Sequence, residues 1–184
     1  MDHMDHQKLV EAALAAGATK ATVIPESQIV TSKEFRDICA SNQCGNYGRC
    51  WMCPPEIGPV EDLMAELKNY SWGLLYQTIS PLEDSYDIEG MFEAGSKHAW
   101  ISQAVGEKAA PLLKNPTLHL TCGGCHLCET CAKKTNEPCR HPDKALSSLE
   151  GYGINVYETV KNTPLKYING QNTVTYFGMI LFTE

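Results

Sequence analysis

Nine cysteines in 184 residues carry the evident chemistry of this chain. They fall in two blocks. The first is Cys39-x4-Cys44-x5-Cys50-x2-Cys53, followed by Pro54 and Pro55. The second is Cys122-x2-Cys125-x2-Cys128-x2-Cys131-x7-Cys139. Thiolates gathered at this density are soft ligands for zinc, copper or iron–sulfur centres. The overlapping C-x2-C-x2-C run is that of ferredoxin loops, where three thiolates wrap one face of a cubane and a distant cysteine closes the fourth corner. Gly123 and Gly124 allow the backbone to come close to such a core. Structural zinc is held by paired knuckles rather than an overlapping series, so the overlap favours iron–sulfur. The match to the ferredoxin run is imperfect. Only Glu129 and Thr130 separate the fourth cysteine from the third, and Pro138 precedes Cys139 instead of following it. In ferredoxins the extra cysteine of such a run serves the other cluster. One end of the second block is therefore expected to reach a centre held by the first.

Nine thiols supply two [4Fe-4S] clusters with one left over. Cys50 is the first choice for the spare, because Trp51 and Met52 give it apolar surroundings. The alternative is a spare at Cys39, with Cys44, Cys50 and Cys53 as ligands. Proline after Cys53 removes an N–H and fixes the chain's exit. Tyr47, between Gly45 and Gly48, either packs an aromatic ring over the site or is a core tyrosine in a turn. Arg49, Arg140, Lys133 and Lys134 are placed in sequence to tune a cluster's potential; the plainer reading of the lysines is solvated charge. His126 lies inside the cluster loop and His141 follows Cys139-Arg140, so both are candidates for a direct role. His98 and His119 read as structural, and Trp72 and Trp100 as core aromatics.

"CGNYGRCWMCPPEIG" from Cys44 and "CGGCHLCETCAKKTNEPCRHPDKALSSLEGYGINV" from Cys122 resemble the two blocks of a family described as a predicted metal-binding, cysteine-rich domain of unknown function, found in anaerobic bacteria and archaea. The resemblance runs from about Cys39 to the end of the chain and includes "YFGMILF". The family pattern Cys-x4-Cys-x2-Tyr-Gly-x4-Cys-Pro-Pro is met by Cys39, Cys44, Tyr47, Gly48 and Cys53. It has no cysteine at the place of Cys50, which supports Cys50 as the spare. The second block is met by Cys122, Cys125, Cys128, Cys131 and Cys139. The resemblance implies metal binding and supplies no reaction. Together the two lines give one cluster on Cys39, Cys44 and Cys53, with a fourth ligand from Cys122 or Cys139 or none, and a second cluster on the remaining thiolates of block two.

Composition narrows the role. Fifteen basic against 22 acidic residues leave a net charge of −7, so the Lys/Arg excess that displaces phosphate counterions is missing and nucleic acid is not an expected partner. No apolar run is long enough for a transmembrane helix, and the acidic start does not read as a signal peptide. The cytoplasm is the expected compartment. Thiols stay reduced there, and the count is odd, so a disulfide framework is not expected. Neither GxGxxG, a Walker A lysine motif, Cys-x3-Cys-x2-Cys nor G-x-S-x-G occurs. The reading is electron transfer to a redox partner protein or cofactor. A second reading is a redox enzyme or cofactor-handling protein, with an open iron site or a further organic redox cofactor such as a flavin or corrinoid. A third is zinc-stabilised structure.

The positioning elements alternate. Helices are expected over residues 6–16, from Pro59 to about Tyr70, over 85–113 as one helix or two, and over 143–152. Strands are expected over 21–24, 72–79, 118–120 and 174–182, and segments 33–38 and 154–160 are ambiguous. The fold class is α/β or α+β: one domain over residues 1–184 with a small mixed sheet and flanking helices. The cluster-binding segments, 39–58 and a ferredoxin-like 122–142, are loops at one end. An apolar face on the terminal strand would allow a homodimer.

Overall fold

The computed structural model describes residues 3–183. A five-stranded mixed sheet forms its centre, in the order β1-β2-β5-β3-β4. Its strands are β1 (Lys20–Pro25), β2 (Trp72–Pro81), β3 (Leu118–Thr121), β4 (Ser147–Ser148) and β5 (Thr173–Phe182). Four are joined antiparallel, and only β3 and β4 pair parallel. Five α-helices flank the sheet: α1 (His3–Ala15), α2 (Glu34–Ala40), α3 (Val60–Leu67), α4 (Ile88–Ala109) and α5 (Val156–Val160).

The two long strands explain the layers. Side chains alternate across a strand, so β2 sends Leu74 and Tyr76 to one face and Leu75 to the other. In β5, Ile180 and Phe182 join the first face, while Phe177, Met179 and Leu181 join the second. The first face packs on α1 and α4 through Leu9, Ala13, Val105 and Ala109. The second packs on α3, α5 and the turns around Leu149 and Ile154. The stripe Val60, Leu63 and Leu67 is buried as the helical spacing predicts. Each such aliphatic side chain contributes roughly 1.5–3 kcal/mol on full burial. Gly178 stands opposite Tyr76 in the β2–β5 register and leaves the room that the tyrosine ring fills.

Two sequence expectations are corrected. Residues 143–152 are not helical: they form turns, the two-residue strand β4 and a 3-10 turn, Glu150–Tyr152. Pairing wins over periodicity there, because Leu149 N–H donates to Thr121 O at 2.8 Å and ties the segment to the end of β3. Trp100 is not a core aromatic. It lies on the outer side of α4 and is 70% exposed. β5 lies between β2 and β3, and its residues from Phe177 to Phe182 are buried. The ambiguous segments resolve as α2 and α5.

Candidate metal centres

Both cysteine blocks leave the frame at one end. Cys39 lies in the last turn of α2, and Cys122 follows directly on β3. The first loop is held by its own polar groups. Tyr47 N–H donates to the Asn42 side-chain oxygen at 3.0 Å, and Gly48 N–H to Pro54 O at 3.0 Å. Cys53 N–H donates to Cys50 O at 3.2 Å, closing the turn that carries both thiols. In the second loop Cys131 leads into a 3-10 turn, Ala132–Thr135, which Asn136 ends in the left-handed region.

The loops are fastened to one another. Trp51 Nε1–H donates to Glu137 O at 2.8 Å. Lys133 Nζ lies 3.2 Å from Glu56 Oε1 and 4.6 Å from the Trp51 ring centroid. A Cβ on Gly124 would stand 2.6 Å from the Asn46 side-chain Nδ2, so glycine leaves the room in which Asn46 lies against the second loop. Arg36, one helical turn before Cys39, donates to Gly58 O and, at 3.1 Å, to Gly151 O. It thereby fixes the exit of the first loop against the turn after β4.

Around this junction the nine thiols separate into two sets. Cys39, Cys44, Cys53 and Cys122 line a cavity of about 460 Å³. Cys50, Cys125, Cys128, Cys131 and Cys139 line an adjacent hollow of about 20 Å³. Each block thus sends one cysteine to the other's set: Cys122 goes to the first and Cys50 to the second. Of the two thiols considered as a fourth member for the first set, Cys122 lines that cavity and Cys139 does not. Cys50, read from sequence as a spare in apolar surroundings, is indeed buried, but among thiols. Among the described residues no three His, Cys, Asp or Glu side chains are gathered closely enough to hold a single metal ion. The thiols line hollows rather than converge on a point.

Cys44 is exposed, Cys50 and Cys53 are buried, and the other thiols are partly covered. Burial pushes Cys122 up to about 12, with the Glu150 carboxyl adding to the shift. Burial also raises Cys39 and Cys125. Cys50 and Cys53 share a hydrogen bond across their turn, which pulls Cys50 down to about 5 and pushes Cys53 up. Thiols pressed together in dry walls resist ionising by themselves, and a bound polycation reverses that preference. The donor set therefore fits a metal centre.

The other candidate residues divide. Tyr47 lines the larger cavity. Arg140 bonds the Cys128 thiol, which raises the guanidinium's pKa, and donates to Thr130 O at 2.9 Å. His141 lines the smaller hollow. His126 lies outside both thiol sets, beside Cys125 and Trp100 in a separate hollow of about 30 Å³. Arg49 is exposed and lines neither thiol set. His98 and His119 are structural: His98 meets Thr78 Oγ1 at 2.7 Å and Phe177 O at 3.0 Å, and His119 meets Tyr76 Oη at 2.7 Å.

Sequence reading missed Arg36, Glu150 and Tyr167. Arg36 carried one signal, its place three residues before Cys39 on a helix. Glu150 and Tyr167 carried none, because they reach the cavity from segments far along the chain.

Compared with family models, residues 22–182 match the family described as "Predicted metal-binding protein". No curated protein and no solved structure matches the chain significantly.

Proposed function

From the premise that this chain belongs to that predicted metal-binding family, we propose that its two thiol sets hold two [4Fe-4S] clusters serving electron transfer. The observation that carries this reading is the separation of nine thiols into two adjacent sets, the first completed by Cys122 from the second block and the second holding four thiols of its own beside Cys50. The first cluster takes Cys39, Cys44, Cys53 and Cys122. The second takes Cys125, Cys128, Cys131 and Cys139, with Cys50 as an additional thiol against it. A four-thiolate set around each hollow is the donor chemistry of a cubane.

When bound, the clusters supply one-electron chemistry. The chain's residues exclude water, fix the thiols and set the local charge. Cys50 and Cys53 bring one thiol of each set to within a single turn, which gives electrons a short path from a ligand of the first centre to a thiol lying against the second. Arg140, bonded to Cys128, stabilises thiolate charge in the second set. With a net charge of −7, docking to a redox partner protein with a basic face is favoured over nucleic acid. Zinc is the weaker reading, because the thiols are not drawn together at single-ion spacing.

Metal and acid-labile sulfide content of protein purified without oxygen tests this, together with its visible spectrum. About eight irons and eight sulfides, with an absorption that bleaches on reduction, is the expected result. Colourless protein carrying one or two zincs would overturn it.

A further inference from the structure

The larger cavity extends well past its thiols. We propose that this remaining end binds a small, neutral, planar heterocycle carrying an N–H or O–H donor, held beside the first centre. The inference rests on the cluster reading in one respect: the cysteine end is taken to be filled by a cluster.

Size, wall chemistry and a carboxyl that no described cation pairs with carry the proposal. The cavity of about 460 Å³ is shared with the cluster, so the free end is at or below the lower bound of the roughly 300–1,000 Å³ usual for small-ligand pockets, and the ligand must be small. A fused-ring compound can be enclosed there; a corrin with its substituents cannot. Val156, Tyr167 and Phe177 also line the cavity. The Tyr167 ring stacks on Phe177 at 5.8 Å with an interplanar angle of 11°, and Tyr157 meets Tyr167 edge-on at 5.4 Å. Tyr167 is thus held in a fixed orientation in the cavity wall and is still 45% exposed.

Among the described residues the lining contains no Lys, Arg or His. Its only carboxyl is that of Glu150, which is desolvated and accepts from its own backbone N–H. No described cation forms an ion pair with it. A poorly hydrated acceptor in a wall of apolar and neutral polar side chains is satisfied by a donor on the ligand. A phosphate or carboxylate group would meet that carboxyl and the thiolates with no positive charge to offset them. The cavity therefore selects against anionic ligands.

The test is fluorescence titration of protein purified without oxygen with lumichrome, a neutral planar ring system with N–H donors. Riboflavin 5′-phosphate and 2-naphthoate serve as anionic comparators, and iron and sulfide are measured on the same samples. Lumichrome should saturate a single site, with both anions bound about tenfold more weakly or worse. Glu150→Gln should weaken lumichrome about tenfold and strengthen 2-naphthoate. Tyr167→Ala, a change at a partly exposed position, should weaken lumichrome several-fold. Equal binding of the anions, or lumichrome affinity unchanged in both variants, would overturn the proposal. Iron-replete protein that ignores lumichrome removes this inference and leaves the clusters standing. Iron-free protein that still binds lumichrome at this site removes the clusters and keeps the pocket. Iron-free protein that binds none removes both.

Discussion

The two thiol sets sit on either side of one turn and differ in almost everything else. The first is gathered from distant places: α2, the first loop and the end of β3. It opens into a roomy cavity with an aromatic wall and a carboxyl. The second draws four of its five thiols from one short loop and leaves almost no space around them. A loop that supplies most of its own ligands makes a self-contained centre. Thiols brought together by the fold make a centre that shares its space with something else. The difference suggests a division of labour, with a relay on the tight side and an exchange point on the open side.

Cysteine replacement breaks the comparison most directly. Cys122→Ala should abolish the first centre and keep the second, so that iron falls to about half, while Cys128→Ala should do the reverse. Cys50→Ala should leave iron near its full value, because four thiols remain around the smaller hollow. Iron analysis and electron paramagnetic resonance of the reduced variants check all three. If Cys50→Ala also halves the iron, Cys50 is a ligand and another thiol of the second block is the spare.

The scaffold should respond differently from either centre. Leu181→Ala removes a side chain with no exposure in the middle of the sheet, and should cost about 2–5 kcal/mol in denaturant unfolding. The iron content of the folded fraction should stay unchanged. Acid acts on the same layer. Burial holds His98 down at about 4 and His119 at about 3, against an unfolded value of about 6.5. Above pH 6.5 neither group affects the balance. Below it the unfolded chain binds protons that the folded chain does not, so stability should fall by up to about 1.4 kcal/mol per pH unit for each group down to those values. His98→Asn and His119→Asn should flatten this slope, as followed by unfolding midpoints across pH.

The smallest effect is expected where the loops are tied. Lys133→Ala loses the Glu56 pair and the contact with Trp51, worth about 0.5–1 kcal/mol together. It should loosen both centres slightly, seen as faster loss of iron to a chelator. Loss confined to one centre would mean that the two loops move independently.

Much of the frame was legible in the sequence because it is governed by local patterns. The stripe of Val60, Leu63 and Leu67 and the apolar run of β5 leave few alternatives. Segment 143–152 misled because Leu146, Leu149 and Tyr152 recur at helical spacing, while long-range pairing with β3 determines the backbone. The division of the thiols was only half legible. Spacing identifies ligand types and permits an exchange between blocks, but not which cysteine crosses. Trp51 and Met52 suggested an isolated apolar site for Cys50, whereas the turn to Cys53 carries it among the second set. The aromatic end of the cavity was not legible at all, since Glu150, Val156, Tyr167 and Phe177 share no local pattern.

The turn from Cys50 to Cys53 puts one thiol in each hollow. Its consequence reaches into how the protein would be made. Iron delivered to one hollow fixes the backbone that shapes the other, so the second loading meets a pocket already half set. Oxygen that strips one centre frees that same backbone and exposes its neighbour. In the intact chain each centre would ease the loading of the other, while each hollow keeps thiols enough to hold its own centre when the other is removed.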